Sequence, residues 1–184
     1  MADARAGARV VAVDREHASA NATRDLVAAK GFDSLALQAD VINSASVAQV
    51  VTDTLAAQGR RAIVNISSIA TIRWTGYPYS IYYATKAGVN QLTVTLALQC
   101  AAQGIHANAA MPGLMNTPLI PAQIAGHYAS PEELVCARDA ACPIGRMGAA
   151  LGMAHAAVFL ASDETAYIDG VRPPVDGGIS MQGG

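Results

Sequence analysis

Residues 9–40, RVVAVDREHASANATRDLVAAKGFDSLALQAD, decide the fold. Arg9 to Asp14 is a short β-branched run ending in a carboxylate. Residues 16–30 form an alanine-rich stretch that Gly31 stops, so the pattern predicts a strand followed by a helix. The same order returns at once. Ser34 to Ala39 reads as a strand closed by Asp40, and Ser44 to Gln58 as a helix with Val47, Val50, Val51 and Leu55 at helical spacing and Gly59 as its stop. Ala62 to Ile66 is a third strand. It leads through a polar loop into a long helix from about Tyr82 to Gln103, with Val89, Leu92 and Leu96 on one face, ended by Gly104. Ile105 to Met111 is a fourth strand, broken at Pro112-Gly113 into a long irregular segment; a helix near Leu151 to Ser162 and a last strand around Val171 to Val175 follow. Alternating strands and helices of this kind imply an α/β domain, a parallel sheet with helices on both faces.

Composition narrows the function. The 184 residues suit one domain spanning 1–184, and 52% hydrophobic against 14% charged residues supply a sizeable core and exclude disorder. No apolar run approaches the roughly 20 residues that cross a bilayer, and the start of the chain (Asp3, Arg5, Arg9) has no signal-like apolar region, so a cytoplasmic protein is expected. Twelve basic against fourteen acidic residues lack the excess a nucleic-acid partner demands. Cys100, Cys136 and Cys142 make an odd count without a C-x-x-C, which suits a reducing compartment; the four histidines are scattered, so no metal site is expected.

The informative residues are Tyr82, Lys86 and the pair Ser67-Ser68 at a strand end. Residues four apart lie on one helix face, so the Lys86 ammonium can sit beside the Tyr82 phenol and favour its anion, lowering a pKa normally about 10. Such a phenol exchanges a proton near neutral pH. A serine hydroxyl from the strand end can hydrogen-bond the same substrate oxygen as it becomes an alkoxide during hydride transfer. Tyr83, Tyr79 and Tyr77 compete with Tyr82, and Tyr83 is also one turn from Lys86.

With these residues the sequence resembles the short-chain dehydrogenase/reductase family. The resemblance runs in order through V-V-A-V-D at 10–14, D-V at 40–41, N-I-S-S at 65–68, Y-Y-A-T-K at 82–86, N-A-A-M-P-G at 108–113 and V-D-G-G at 175–178. It implies a Rossmann-like doubly wound parallel sheet, with Tyr82 as acid/base, Lys86 as phenol-tuner and ribose binder, and Ser68 as partner of the substrate oxygen. The Ser68 to Tyr82 loop is one residue longer than the family's usual spacing, which keeps Ser67 beside Ser68. Asp14 at a strand end suits the adenosine ribose and repels a 2′-phosphate, pointing to NAD, with NADP open because Arg15 adjoins it. Asp40 and Val41 resemble an adenine-contacting pair, Asp40 also reading as a helix N-cap. Pro112, Gly113 and Thr117 resemble the loop against nicotinamide. Residues 114–143, with Leu119, Ile120, Ile124, His127 and Tyr128, are expected to form a substrate lid. Val175 to Gly178 reads as a structural turn, and the cysteines and methionines as packing.

Two family elements do not occur in the sequence: an opening strand with a Gly-rich turn, and, between Gly59 and Ala62, the N-N-A-G strand with the next helix and its catalytic asparagine. In the strand order the resemblance implies, both absent strands are central. The expectation is therefore that 184 residues are part of a longer chain, or that the sheet is rebuilt. The leading reading is an NAD(P)-dependent oxidoreductase interconverting a secondary alcohol and a ketone, working as a homodimer or homotetramer. The competing one is a non-catalytic member acting as a structural subunit.

Overall fold

The computed structural model describes residues 2–7, 9–40, 43–57, 61–118, 120 and 125–183. The chain divides into two compact units, Met1–Arg61 and Ala62–Gly184.

In the first unit a short helix α1 (Ala2–Arg5) precedes β1 (Val10–Asp14), α2 (His17–Ala28), β2 (Ser34–Gln38) and α3 (Ser44–Ala57). β1 and β2 pair in parallel, from Val10 opposite Ser34 to Asp14 opposite Gln38. Parallel neighbours require a crossover, and α2 supplies it, packing on both strands with Ala20 and Val27 buried. α3 opens on Asn43, whose Oδ1 accepts the N–H groups of Ala45 at 3.0 Å and Ser46 at 3.1 Å. The capping role that Asp40 was open to is thus filled by Asn43.

The second unit holds all but the first residue of β3 (Arg61–Ile66), then α4 (Ser80–Cys100), β4 (Ile105–Pro112), β5 (Met115–Asn116), α5 (Pro131–Ala140), β6 (Gly148–Ala149), α6 (Ala150–Ala161) and β7 (Pro174–Val175). β4 lies between β3 and β7 and runs parallel to β7, and β5 and β6 form a separate parallel pair. Ile105, Ala107, Ala109 and Ala110 of β4 are buried completely, and both α4 and α6 pack on that strand. Small side chains let the helices come close. Gly104, at φ +68°, turns the chain from the end of α4 into β4 in the left-handed conformation that glycine adopts at no steric cost.

Three features differ from the sequence reading. α4 buries Asn90, Thr93 and Ala97, while Leu92 faces solvent. The difference is polar: Asn65 Nδ2–H donates to Thr93 Oγ1 at 2.9 Å, and Asn90 Nδ2–H to Thr71 Oγ1 at 2.8 Å, so hydrogen bonds help to seat the helix beside the partly buried Val89 and Leu96. The segment after Pro112-Gly113 contains a regular helix, α5. Ser130 Oγ accepts the Glu133 N–H at 3.1 Å, Glu133 Oε2 accepts the Ala129 N–H at 2.6 Å, and Pro131 stands where no N–H is needed. β7 is short because Pro173 and Pro174 have no N–H to give the ladder, although the carbonyls of Val171 and Pro173 accept from Ala109 and Met111 at 2.9 Å. Among the described residues no helix is long and apolar enough to cross a membrane, and no group of three side chains suits a metal ion.

Candidate active site

The end of β3 and the first turns of α4 bring Lys86 and Tyr82 near each other. Lys86 Nζ donates to the Ile66 carbonyl at 2.8 Å and lies 5.8 Å from the centroid of the Tyr82 ring. Burial pushes the Lys86 ammonium below the usual lysine value. One of its three N–H groups is used on Ile66; the other two have no partner among the described residues.

Tyr82 and Tyr83 are separated by their bonding. Tyr83 stacks on Trp74 at 5.5 Å between ring centroids, and its hydroxyl accepts the Thr75 N–H at 2.9 Å and shares a proton with Thr75 Oγ1 at 2.6 Å. Tyr82 is 44% exposed, and its hydroxyl has no hydrogen bond among the described residues. Tyr77 and Tyr79 stack at 5.8 Å, and the Tyr77 hydroxyl is 2.7 Å from that of Tyr128. His127 meets the Tyr77 ring edge-on at 5.4 Å.

The two serines also differ. Ser67 Oγ donates to the Lys86 carbonyl at 3.1 Å and is buried. Ser68 Oγ only accepts, from the Ala70 N–H at 3.1 Å, so its own proton is left for another oxygen. Ser67 N–H, donating to the Ala110 carbonyl at 2.9 Å, extends the sheet and fixes both residues beyond β3.

Pro112 and Gly113 lie at the end of β4 against β7, with Gly113 N–H donating to the Val175 carbonyl at 3.1 Å. A Cβ on Gly113 would stand 2.5 Å from the Cβ of Asp176, so the close approach requires glycine. Asp176 organises the turn after β7: its carboxylate takes the Gly178 N–H at 2.9 Å and the Ser180 N–H at 2.7 Å. Burial works to raise its pKa, and these bonds outweigh it and hold the carboxyl below the ordinary value. Thr117 is partly buried, and its carbonyl accepts from Ile120 at 3.1 Å.

Asp14 and Asp40 belong to the first unit. Asp14 ends β1, and its Oδ1 accepts the Glu16 N–H at 2.8 Å; that bond and the Ser19 hydroxyl lower its pKa. Arg15 turns to Glu16, Nε to Oε1 3.7 Å, in solvent. Asp40 N–H donates to Ser46 Oγ at 3.3 Å. Val41, Leu119, Ile124 and the join at 58–60 lie outside the described residues. Sequence reading missed the Thr75 anchor and the Tyr77–Tyr128 pair, which carry no local signal; α5 was findable from Ser130-Pro-Glu-Glu133.

A family model described as enoyl-(acyl carrier protein) reductase matches residues 51–180. A solved structure described as a short-chain dehydrogenase/reductase from Burkholderia xenovorans is 32% identical, with a TM-score of 0.82 over 100% of this chain and 90% of the other. The chain belongs to the short-chain dehydrogenase/reductase family. Its Rossmann-type α/β fold is that of the family. Among curated members of the family, 3beta-hydroxysteroid dehydrogenase 1 of Eggerthella lenta is 42% identical over 123 residues, 66% of this chain and 44% of that protein. The chain thus spans less than half of that relative's length. A gluconate 5-dehydrogenase from Burkholderia cenocepacia, solved with NADP and tartrate, is 25% identical with a TM-score of 0.79, covering 98% of this chain and 88% of the other.

Proposed function

We propose that the protein is an NAD(P)-dependent oxidoreductase that interconverts a secondary alcohol and a ketone. The observation that carries this reading is the Tyr82 hydroxyl, unbonded among the described residues, on the helix turn before a half-buried Lys86 whose ammonium lies 5.8 Å from its ring centroid. Tyr82 gives its proton to the carbonyl oxygen on reduction and takes it back on oxidation. Ser68, with a proton to donate, holds the same oxygen as charge builds on it. A bound nicotinamide supplies or accepts the hydride. Within the second unit the residues fit that group in kind: the two Lys86 N–H groups unbonded among the described residues suit ribose hydroxyls, and Pro112, Gly113 and Thr117 suit the nicotinamide. In the first unit, Asp14 at the end of β1 suits the adenosine ribose. Asp40 and Val41 are assigned to the adenine. NAD is the favoured dinucleotide because Arg15 pairs with Glu16 rather than facing a phosphate.

Residues 114–143 serve as the substrate lid. The exposed Ile81, Leu92 and Leu98 of α4 suit a contact with a second copy of the chain, in a homodimer or homotetramer. Three free cysteines accord with a cytoplasmic setting. The test is turnover by the full chain with NAD and a panel of secondary alcohols, read by absorbance of the reduced nicotinamide. Oxidation of at least one alcohol supports the reading. A folded full chain that binds no NAD and turns over none of the alcohols would favour the structural subunit instead.

A further inference from the structure

α5 carries a cation that no carboxylate among the described residues pairs with. Arg138 is 6% exposed, and a buried guanidinium is costly unless an anion or a full set of acceptors meets it. Its acidic neighbours are turned elsewhere. Asp139 Oδ1 accepts the Met147 N–H at 2.7 Å, Glu133 Oε2 the Ala129 N–H at 2.6 Å, and among the described residues no ion pair includes Arg138. Arg138 Nε instead donates to the Met147 thioether at 3.4 Å, a weak acceptor. The guanidinium also stands beside the Tyr128 hydroxyl. There the bond to Tyr77 and burial raise the phenol's pKa, and Arg138 works against them.

Tyr128 and Met147, the two groups that Arg138 meets, are both walls of a cavity of about 290 Å³ lined also by Asn116, Ser130 and Leu134. The Tyr128 hydroxyl is 2.7 Å from that of Tyr77, and either oxygen can be the donor. Tyr77 in turn stacks on Tyr79 at the start of α4, one turn before Tyr82.

We propose that this cavity takes a carboxylate of the substrate, bonded by the Tyr128 hydroxyl and balanced by the Arg138 charge behind it. The substrate is then a hydroxy or keto acid. An arriving carboxylate can only accept, so Tyr128 donates to it while Tyr77 donates to Tyr128, and every proton is used. The word substrate rests on the oxidoreductase reading; the anion subsite itself does not.

The test titrates the full chain with benzoate and with its neutral isostere benzamide by calorimetry, without dinucleotide. Benzoate binds about tenfold or more tightly than benzamide, and Arg138→Met weakens benzoate by about tenfold or more. That variant keeps or raises the melting temperature, because an apolar chain of similar length replaces a buried charge. Tyr128→Phe keeps the charge and weakens benzoate several-fold, and it decides the matter if Arg138→Met does not fold. Equal binding of acid and amide, no binding of benzoate, or unchanged affinity in the variant that decides overturns the proposal. Tyr82→Phe separates it from the reaction: it binds benzoate as wild type does. Turnover surviving in Tyr82→Phe, with benzoate still dependent on Arg138, would remove the assignment of Tyr82 and leave the subsite standing.

Discussion

The Tyr83 hydroxyl is held by Thr75, 2.6 Å from its Oγ1 and 2.9 Å from its backbone nitrogen, while the adjacent Tyr82 hydroxyl has no bond among the described residues. Two neighbouring tyrosines thus differ: one fastens the loop before α4, and the other is the one we propose for the chemistry. Tyr83→Phe should lower stability by about 1 kcal/mol, the usual net value of such bonds, and leave most turnover in place. Denaturant melts of the two proteins check the first part, and a steady-state assay the second.

Gly113 and Asp176 approach so closely that a methyl group does not fit. With a Cβ only 2.5 Å from one side-chain atom and 2.8 Å from a backbone atom of Asp176, Gly113→Ala must displace the chain. A loss of about 1–3 kcal/mol is expected from such overpacking, visible in thermal melts.

Asp176 makes stability depend on pH in a fixed direction. Its folded pKa lies below the ordinary aspartate value, because bonds from Ser180 and Gly178 outweigh burial. Its contribution is therefore complete above the unfolded value and is lost as pH falls through the folded one. Asp176→Asn should be less stable than wild type at neutral pH, and the gap should narrow as pH falls from neutral through the folded pKa. Melting temperatures of both proteins across that range give the answer; a gap that widens in acid contradicts it.

Dinucleotide preference should follow Asp14. Its carboxylate is fixed at the end of β1, whereas Arg15 lies in solvent against Glu16. A 2′-phosphate would bring like charge close to Asp14, so NAD should show the higher kcat/KM, and Asp14→Ala should narrow the difference. A clear NADP preference in the wild type would reverse the assignment.

Much of this was legible in the sequence, for identifiable reasons. β1, α2 and β2 lie within two residues of their expected bounds because each is marked by periodicity and a stop, Gly31 above all. Family motifs singled out Tyr82, Lys86 and Ser68. What stayed hidden depends on partners distant in sequence. The burial of Asn90 and Thr93 in place of Leu92 follows from Thr71 and Asn65, which no helical period reveals. Tyr128 meeting Tyr77 spans 51 residues, and Arg138 looks like any surface arginine until the fold buries it.

The most direct test of the central claim is the rate of alcohol oxidation by Tyr82→Phe in the full chain, beside wild type and Tyr83→Phe. Losing the exchangeable proton while keeping the ring should reduce kcat by about 10²–10⁴-fold, the range for positioned acid–base groups. NAD affinity and melting temperature should stay near those of the wild type, and Tyr83→Phe should remain active. An active Tyr82→Phe beside an inactive, folded Tyr83→Phe would contradict the account.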